Sequence, residues 1–125
     1  MHWKDLDVWQ VSHDLTLKIY NVTKTFSKDE QYGLVSQLKR ASYSVPVNIV
    51  EGFSRKHTKE FIQFLNIANA SLEELRYFLL LARDLNLIEN KVYDELENQS
   101  SKISKMLNGL IKSLRLKMVN KNGKR

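Results

Sequence analysis

Apolar residues recur every three or four positions along four stretches of this chain and nowhere alternate one by one, and that period most narrows the folds open to it. The first stretch, about 6–25, carries Val8, Val11, Leu15, Ile19 and Val22, and the stripe runs on to Phe26. The second carries Leu34 or Val35, Leu38, Ala41 or Ser42, Val45 and Ile49. The third carries Phe61, Phe64 or Leu65, Ala68, Leu72, Leu75, Phe78 or Leu79, and Ala82. In the fourth, Val92, Leu96, Ser100, Ile103, Leu107, Leu110 and Leu114 are spaced by fours and threes, as in a heptad seam. Each stripe predicts a helix with one face buried. Four glycines and one proline in 125 residues leave little material for turns, so few and long elements are expected, which argues against a many-stranded sheet. The expected fold is all-α, an antiparallel up-and-down four-helix bundle in one domain, 1–118. A polar, basic tail, 119–125, has nothing to bury and reads as frayed or disordered.

Local signals place the helix ends. Ser27 or Asp29 is expected to cap the second helix, Thr58 the third and Asn90 the fourth, and Gly52 to stop the second. One stretch breaks these rules. Residues 41–55, ASYSVPVNIVEGFSR, put the only proline inside an apolar helical stripe. A proline there has no N–H and crowds the carbonyl four residues back, that of Ser42, at about 3 kcal/mol or more unless the freed groups find partners. The apolar residues Val47, Ile49 and Val50 continue beyond it, so the second helix is expected to run on with a kink at Pro46. Arg40, Ser44, Asn48, Glu51 and Arg55 then share one helical face. They are either a small ligand site or a polar network in which the serines and Asn48 serve backbone groups freed by the proline.

The net charge of +6 is unevenly spread. Residues 1–50 carry six Lys/Arg against five Asp/Glu, residues 51–100 six against nine, and residues 101–125 eight against none. The last group, Lys102, Lys105, Lys112, Arg115, Lys117, Lys121, Lys124 and Arg125, is the candidate nucleic-acid-binding set. Backbone-directed, salt-sensitive contact with RNA or DNA is the expected chemistry, since no aromatic RNA-binding motif, helix-turn-helix signature or zinc pattern is visible. Two other readings stay open: a solvated face whose sign complements the helix dipole, and a docking surface for an acidic protein partner.

Other chemistry is hard to find. With no cysteine, disulfides, thiolate metal sites and cysteine nucleophiles are excluded together. His2, His13 and His57 are scattered and predict no metal site, and Glu73 and Glu74 are adjacent, so they project about 100° apart on a helix. Without a phosphate loop, dinucleotide fingerprint or nucleophile elbow, no cofactor and no enzymatic activity are expected. No run approaches the roughly 20 apolar residues of a membrane span, and the N-terminus has no signal-like apolar core, so a soluble cytoplasmic protein is expected. Trp9, Leu17 and Tyr20 fall off the first stripe, and Leu80 and Leu81, with Leu79, widen the third. These extra strips need covering and predict an interface between copies of the chain.

Three pieces together, DLDVWQ (5–10), YGLVSQLKRASYSVPVNIVEG (32–52) and IANASLEELRYFLLLARDLNLI (67–88), resemble the four-helix-bundle proteins encoded in intervening sequences of bacterial 23S ribosomal RNA genes. That family also occurs as free-standing small bacterial proteins, and the resemblance covers about 6–114. Its motif falls on Arg40, Ser44, Val45-Pro46, Asn48, Glu51-Gly52 and Arg55, whereas Ser27, Val50, Phe53-Ser54 and Asn69-Ala70-Ser71 depart from it. The resemblance implies an up-and-down bundle, a homo-oligomer, in similar architectures a pentamer, and no established enzymatic activity. In architecture alone the chain is also similar to the accessory protein of diversity-generating retroelements, a basic bundle that binds nucleic acid.

Overall fold

The computed structural model describes the backbone of residues 1–123 and the side chains of residues 1–120. Four helices, α1 (Asp7–Thr23), α2 (Leu34–Phe53), α3 (Thr58–Asp84) and α4 (Asn90–Gly123), account for nearly all of it, with short 3-10 turns at Trp3–Asp5 and Lys28–Glu30. Each helix packs on its sequence neighbours, and α1 closes the ring on α4. Cross-helix pairs fix the directions: Arg40 meets Glu74 and Ser44 meets Ser71 across α2 and α3, and Arg76 meets Glu97 while Asn69 meets Asn108 across α3 and α4. Rising numbers on one helix meet falling numbers on the next, so these neighbours are antiparallel. The chain is an all-α four-helix bundle.

The core is built from the periodic stripes. Leu15 and Ile19 of α1, Leu38 and Ile49 of α2, Leu65, Leu72 and Leu75 of α3, and Ile103 and Leu107 of α4 are all at most 2% exposed. Near the end of α4 the buried position is Ile111, with Leu110 and Leu114 half-buried beside it. A helix of 3.6 residues per turn drifts against a strict seven-residue repeat, and the seam moves with it.

Several helix ends differ from local expectation. Residues 28–30, Asp29 among them, form a 3-10 turn that Ser27 precedes without a side-chain cap bond, and α2 begins only at Leu34, after Gly33. Thr58 is the first residue of α3, preceded by His57 in extended conformation, and it does not act as the cap. At the other end of α3, Asn86 is left-handed (φ 62°), with Leu87 N–H bonded to Ala82 O and Asn86 N–H to Arg83 O, both 2.9 Å. This six-to-one closure is the usual way a helix ends on a left-handed residue, and asparagine tolerates it. The backbone of α4 stays helical through Gly123, so helix continues into the polar stretch that begins at Val119.

Gly52, expected to stop α2, lies inside it and is buried. An added Cβ there would sit 2.8 Å from Phe64 Cβ and 3.2 Å from the Phe61 carbonyl oxygen. Its role is close approach of α2 to α3, the most extensively packed pair of the bundle.

The helix α2 runs through Pro46. The carbonyl that the proline leaves without an N–H, that of Ser42, is served from another helix: the Thr16 hydroxyl of α1 donates to Ser42 O at 3.0 Å while also lying 3.1 Å from Ser12 O. Asn48 instead donates to the Ser44 carbonyl (2.7 Å) and hydroxyl (3.2 Å), so the asparagine braces the turn after the freed carbonyl and not that carbonyl itself. The pairing gives an expected result. Thr16→Val, which keeps the shape and removes the donor, should cost about 1–3 kcal/mol, the price of a buried unpaired carbonyl. In a Pro46→Ala background, where residue 46 regains its N–H, the same change should cost about 1 kcal/mol less. Urea unfolding of the four proteins of this cycle checks it, and an equal cost in both backgrounds would show that Thr16 does not compensate for the proline.

Candidate functional site

Of the C-terminal cations, Lys102, Lys105, Lys112, Arg115 and Lys117 are all exposed on α4. The side chain of Lys121, and Lys124 and Arg125 entirely, lie outside the described residues. Among the described residues none of the five exposed cations is in an ion pair. Elsewhere among the described residues the arginines are paired, whereas of the lysines only Lys18 is. Arg40 pairs with Glu74, Arg55 with Glu51, Arg76 with Glu73 and Glu97, Arg83 with Asp84, and Lys18 with Asp14. The cause is in the sequence: no acidic residue lies after position 100, and the part of α3 beside this end of α4 faces it with Asn66 and Asn69.

The structure divides the five. Lys112 and Arg115 line a groove of about 310 Å³ between α3 and α4, together with Asn66, Asn108, Ile111, Leu116 and Val119. Lys102 lies on the other side of α4, toward α1, in a recess with Asp14, Lys18 and Gln99. There the Gln99 amide donates to Asp14 at 3.0 Å and to Val11 O at 3.1 Å. That bond first, and Lys18 after it, hold the Asp14 carboxyl below its ordinary pKa. The Asn66 and Asn108 contribution had no signal in the sequence, because lone asparagines on helix surfaces are common and only the packing of α3 on α4 brings these two beside the cations.

The seam between α3 and α4 changes character along its length. Near the α3–α4 turn, Arg76 Nε donates to Glu97 at 3.0 Å and Nη1 to Glu73 at 2.8 Å, and hydrogen bonding to Glu97 raises the guanidinium pKa further. About two turns away along α3 and three along α4, Asn69 Nδ2 donates to Asn108 Oδ1 at 2.9 Å. Beyond that pair come the groove and its two unpaired cations.

The second candidate set, Arg40, Ser44, Asn48, Glu51 and Arg55, does not converge on one point. Arg40 reaches Gln37 and Glu74, and Ser44 Oγ lies 2.9 Å from Ser71 Oγ. Glu51 meets Arg55 at 3.5 Å, and the Arg55 guanidinium covers the Phe64 ring at 4.7 Å. Arg40, Ser44 and Arg55 are ties between α2 and α3.

The third set is split. Trp9, Leu17 and Tyr20 line a mostly apolar groove of about 560 Å³ between α1 and α2, whose other side is Tyr43, Val47 and Val50. Leu17 is 56% exposed and Val47 49%. Trp3 is folded onto Trp9 (ring centroids 4.8 Å) by the N-terminal turn, where His2 N–H donates to Asp5 at 3.0 Å and Gln10 to Lys4 O at 2.9 Å. His13 stacks on the other side of Trp9 at 4.9 Å. Leu80 and Leu81 are on α3, half-buried and apart from this groove, with Leu81 packed on the core beside fully buried Leu79. Tyr43 and Val47 follow each other by one helical turn, a spacing that would have revealed them as part of the exposed face.

Among the described residues no three His, Cys, Asp or Glu side chains converge to hold a metal ion, and no helix is long and apolar enough to cross a membrane. The geometry is that of a small helical bundle with an apolar groove and, among the described residues, a run of cations outside any ion pair on α4. The chain belongs to the family of 23S rRNA-intervening sequence proteins, whose model matches residues 4–109. It is similar to a protein of unknown function from the S23 ribosomal protein family of Bacteroides thetaiotaomicron VPI-5482, known from a crystal structure. The two are 28% identical, the match covers 84% of this chain and 95% of that one, and the TM-score is 0.78. No curated protein matches.

Proposed function

We propose that this chain is a non-enzymatic cytoplasmic module that assembles with copies of itself and binds RNA or DNA through the cationic end of α4. The observation that carries the reading is the run of exposed cations on α4, in a stretch with no acidic residue after position 100 and with no ion pair among the described residues. Mobile cations without acidic partners are what a polyphosphate needs, and binding by them releases condensed counterions. Supporting self-assembly is the groove between α1 and α2, where exposed Leu17, Tyr20, Tyr43 and Val47 leave an apolar face that a second copy would cover. The family resemblance points to a ring of five, which would repeat the cationic end around one rim.

Fluorescence anisotropy of a labelled RNA at several salt concentrations tests the nucleic-acid reading. The expected result is binding at low salt whose log affinity falls linearly with log salt concentration, by about 0.7–0.9 per phosphate neutralised. No binding at low salt would refute it. Recovery of one acidic protein by pull-down, unchanged by nuclease, would transfer the surface to a protein partner. Light scattering gives the number of copies, and Leu17→Glu should lower it.

A further inference from the structure

The groove between α3 and α4 combines three kinds of side chain on one short surface. Lys112 and Arg115 provide cations, Asn66 and Asn108 provide amides, and Leu116 (53% exposed) and Val119 (64%) provide an apolar wall. A surface that reads only phosphate needs none of the last two kinds. The amides also have capacity to spare. Asn108 Oδ1 accepts from Asn69, which leaves the Asn108 NH2 group free to donate, and Asn66 makes no side-chain hydrogen bond among the described residues. Asn66 therefore offers a donor and an acceptor together, the pattern that matches the edge of a nucleobase, and Asn108 adds a donor beside it. At about 310 Å³ the groove is small, at the lower end of pockets that hold small ligands. It has room for one base and not for a helix of paired bases.

We infer that this groove takes an unpaired nucleotide: the base lies against Leu116 and Val119 with its edge on Asn66 and Asn108, and the flanking phosphates are held by Lys112 and Arg115. The inference rests on the proposed nucleic-acid reading and adds a preference to it, for single-stranded over double-stranded nucleic acid. A base within a duplex cannot enter the groove without being unpaired and unstacked, which costs a few kcal/mol. The cations alone would bind duplex phosphates at least as well, because duplex carries the higher charge density.

The test is anisotropy with a short single-stranded RNA and with the duplex of the same sequence, at one low salt concentration, for the unaltered protein and for Asn66→Ala. The expected result is tighter binding of the single strand, by about tenfold. Asn66→Ala should weaken the single strand about fivefold, the size of one or two lost hydrogen bonds, and leave the duplex unchanged. Asn66 has no side-chain hydrogen-bond partner among the described residues, so its replacement should not move the melting temperature. Leu116→Ser, on the exposed wall, should act in the same direction. Equal or tighter binding of the duplex, or an Asn66→Ala effect that is absent or equal on both ligands, would overturn the groove assignment while leaving the cationic surface standing. Failure of both ligands to bind would remove both readings together.

Discussion

Gly52→Ala is expected to destabilise the protein by about 1–3 kcal/mol, whereas Gly109→Ala should stabilise it by about 0.5–1 kcal/mol. Both glycines lie inside helices, so propensity alone favours alanine at each. At Gly109 on the exposed side of α4 a Cβ meets nothing within 4 Å, and propensity decides. At Gly52 the new Cβ would lie 2.8 Å from Phe64 Cβ, 2.9 Å from Phe61 Cδ1 and 3.2 Å from Phe61 O. The Phe61 ring can turn aside, but Phe64 Cβ and the carbonyl move only with the backbone of α3. Relief therefore requires α3 to back away from α2 along the best-packed interface of the bundle, and that cost exceeds the gain in propensity. Thermal unfolding of the two variants should show melting temperatures displaced in opposite directions, by about 3–6 °C per kcal/mol for a chain of this size. A stabilised Gly52→Ala would mean that the approach of the two helices is not limited at this point.

The largest expected effect on binding belongs to the triple change Lys105→Gln, Lys112→Gln and Arg115→Gln. If each cation neutralises one phosphate, removing three lowers the slope of log affinity against log salt by about 2–3. At about 0.1 M salt, a decade below the 1 M reference, that corresponds to a loss on the order of a hundredfold. The fold should hardly respond, because all three side chains are exposed and none forms an ion pair among the described residues. Surface changes of this kind usually stay within about 0.5 kcal/mol. Charge removal at Lys102 makes the internal comparison: it lies toward α1, beside Asp14, and should change affinity much less. A triple variant that binds with unaltered slope would place the interface elsewhere on the molecule.

The architecture was legible because helical period and burial coincide. Leu72, Leu75, Ile103 and Leu107 stand at the expected intervals and are fully buried. The devices that let the helices approach were less legible, because they join residues far apart in the chain. Pro46 announces an unserved carbonyl at Ser42, but only the packing of α1 on α2 shows that Thr16, 26 residues earlier, supplies the donor. Gly52 looks the same in sequence whether it ends a helix or lets another one near, and its neighbours Phe61 and Phe64 decide between the two. Leu81 is ambiguous in sequence for a related reason. An all-round apolar stretch late in α3 suggests a surface awaiting cover, yet Leu81 already packs on the core of this chain. The groove at Asn66 and Asn108 belongs to the same class, assembled from residues that carry no signal singly.

The close approach at Gly52 also bears on the order in which the protein forms. The two helices it brings together are joined by residues 54–57, one of the shortest connections in the molecule. Their contacts are therefore nearly local in sequence and cost little loop-closure entropy. Closure of α1 onto α4 joins the two ends of the chain, at the greatest separation, through sparser packing that includes the polar reach of Gln99. The hairpin of α2 and α3 is thus the natural nucleus, and α1 the element added last and released first. Amide hydrogen exchange in the native state should rank them so, with the amides of α3 slowest and those of α1 exchanging through a cheaper, partial opening.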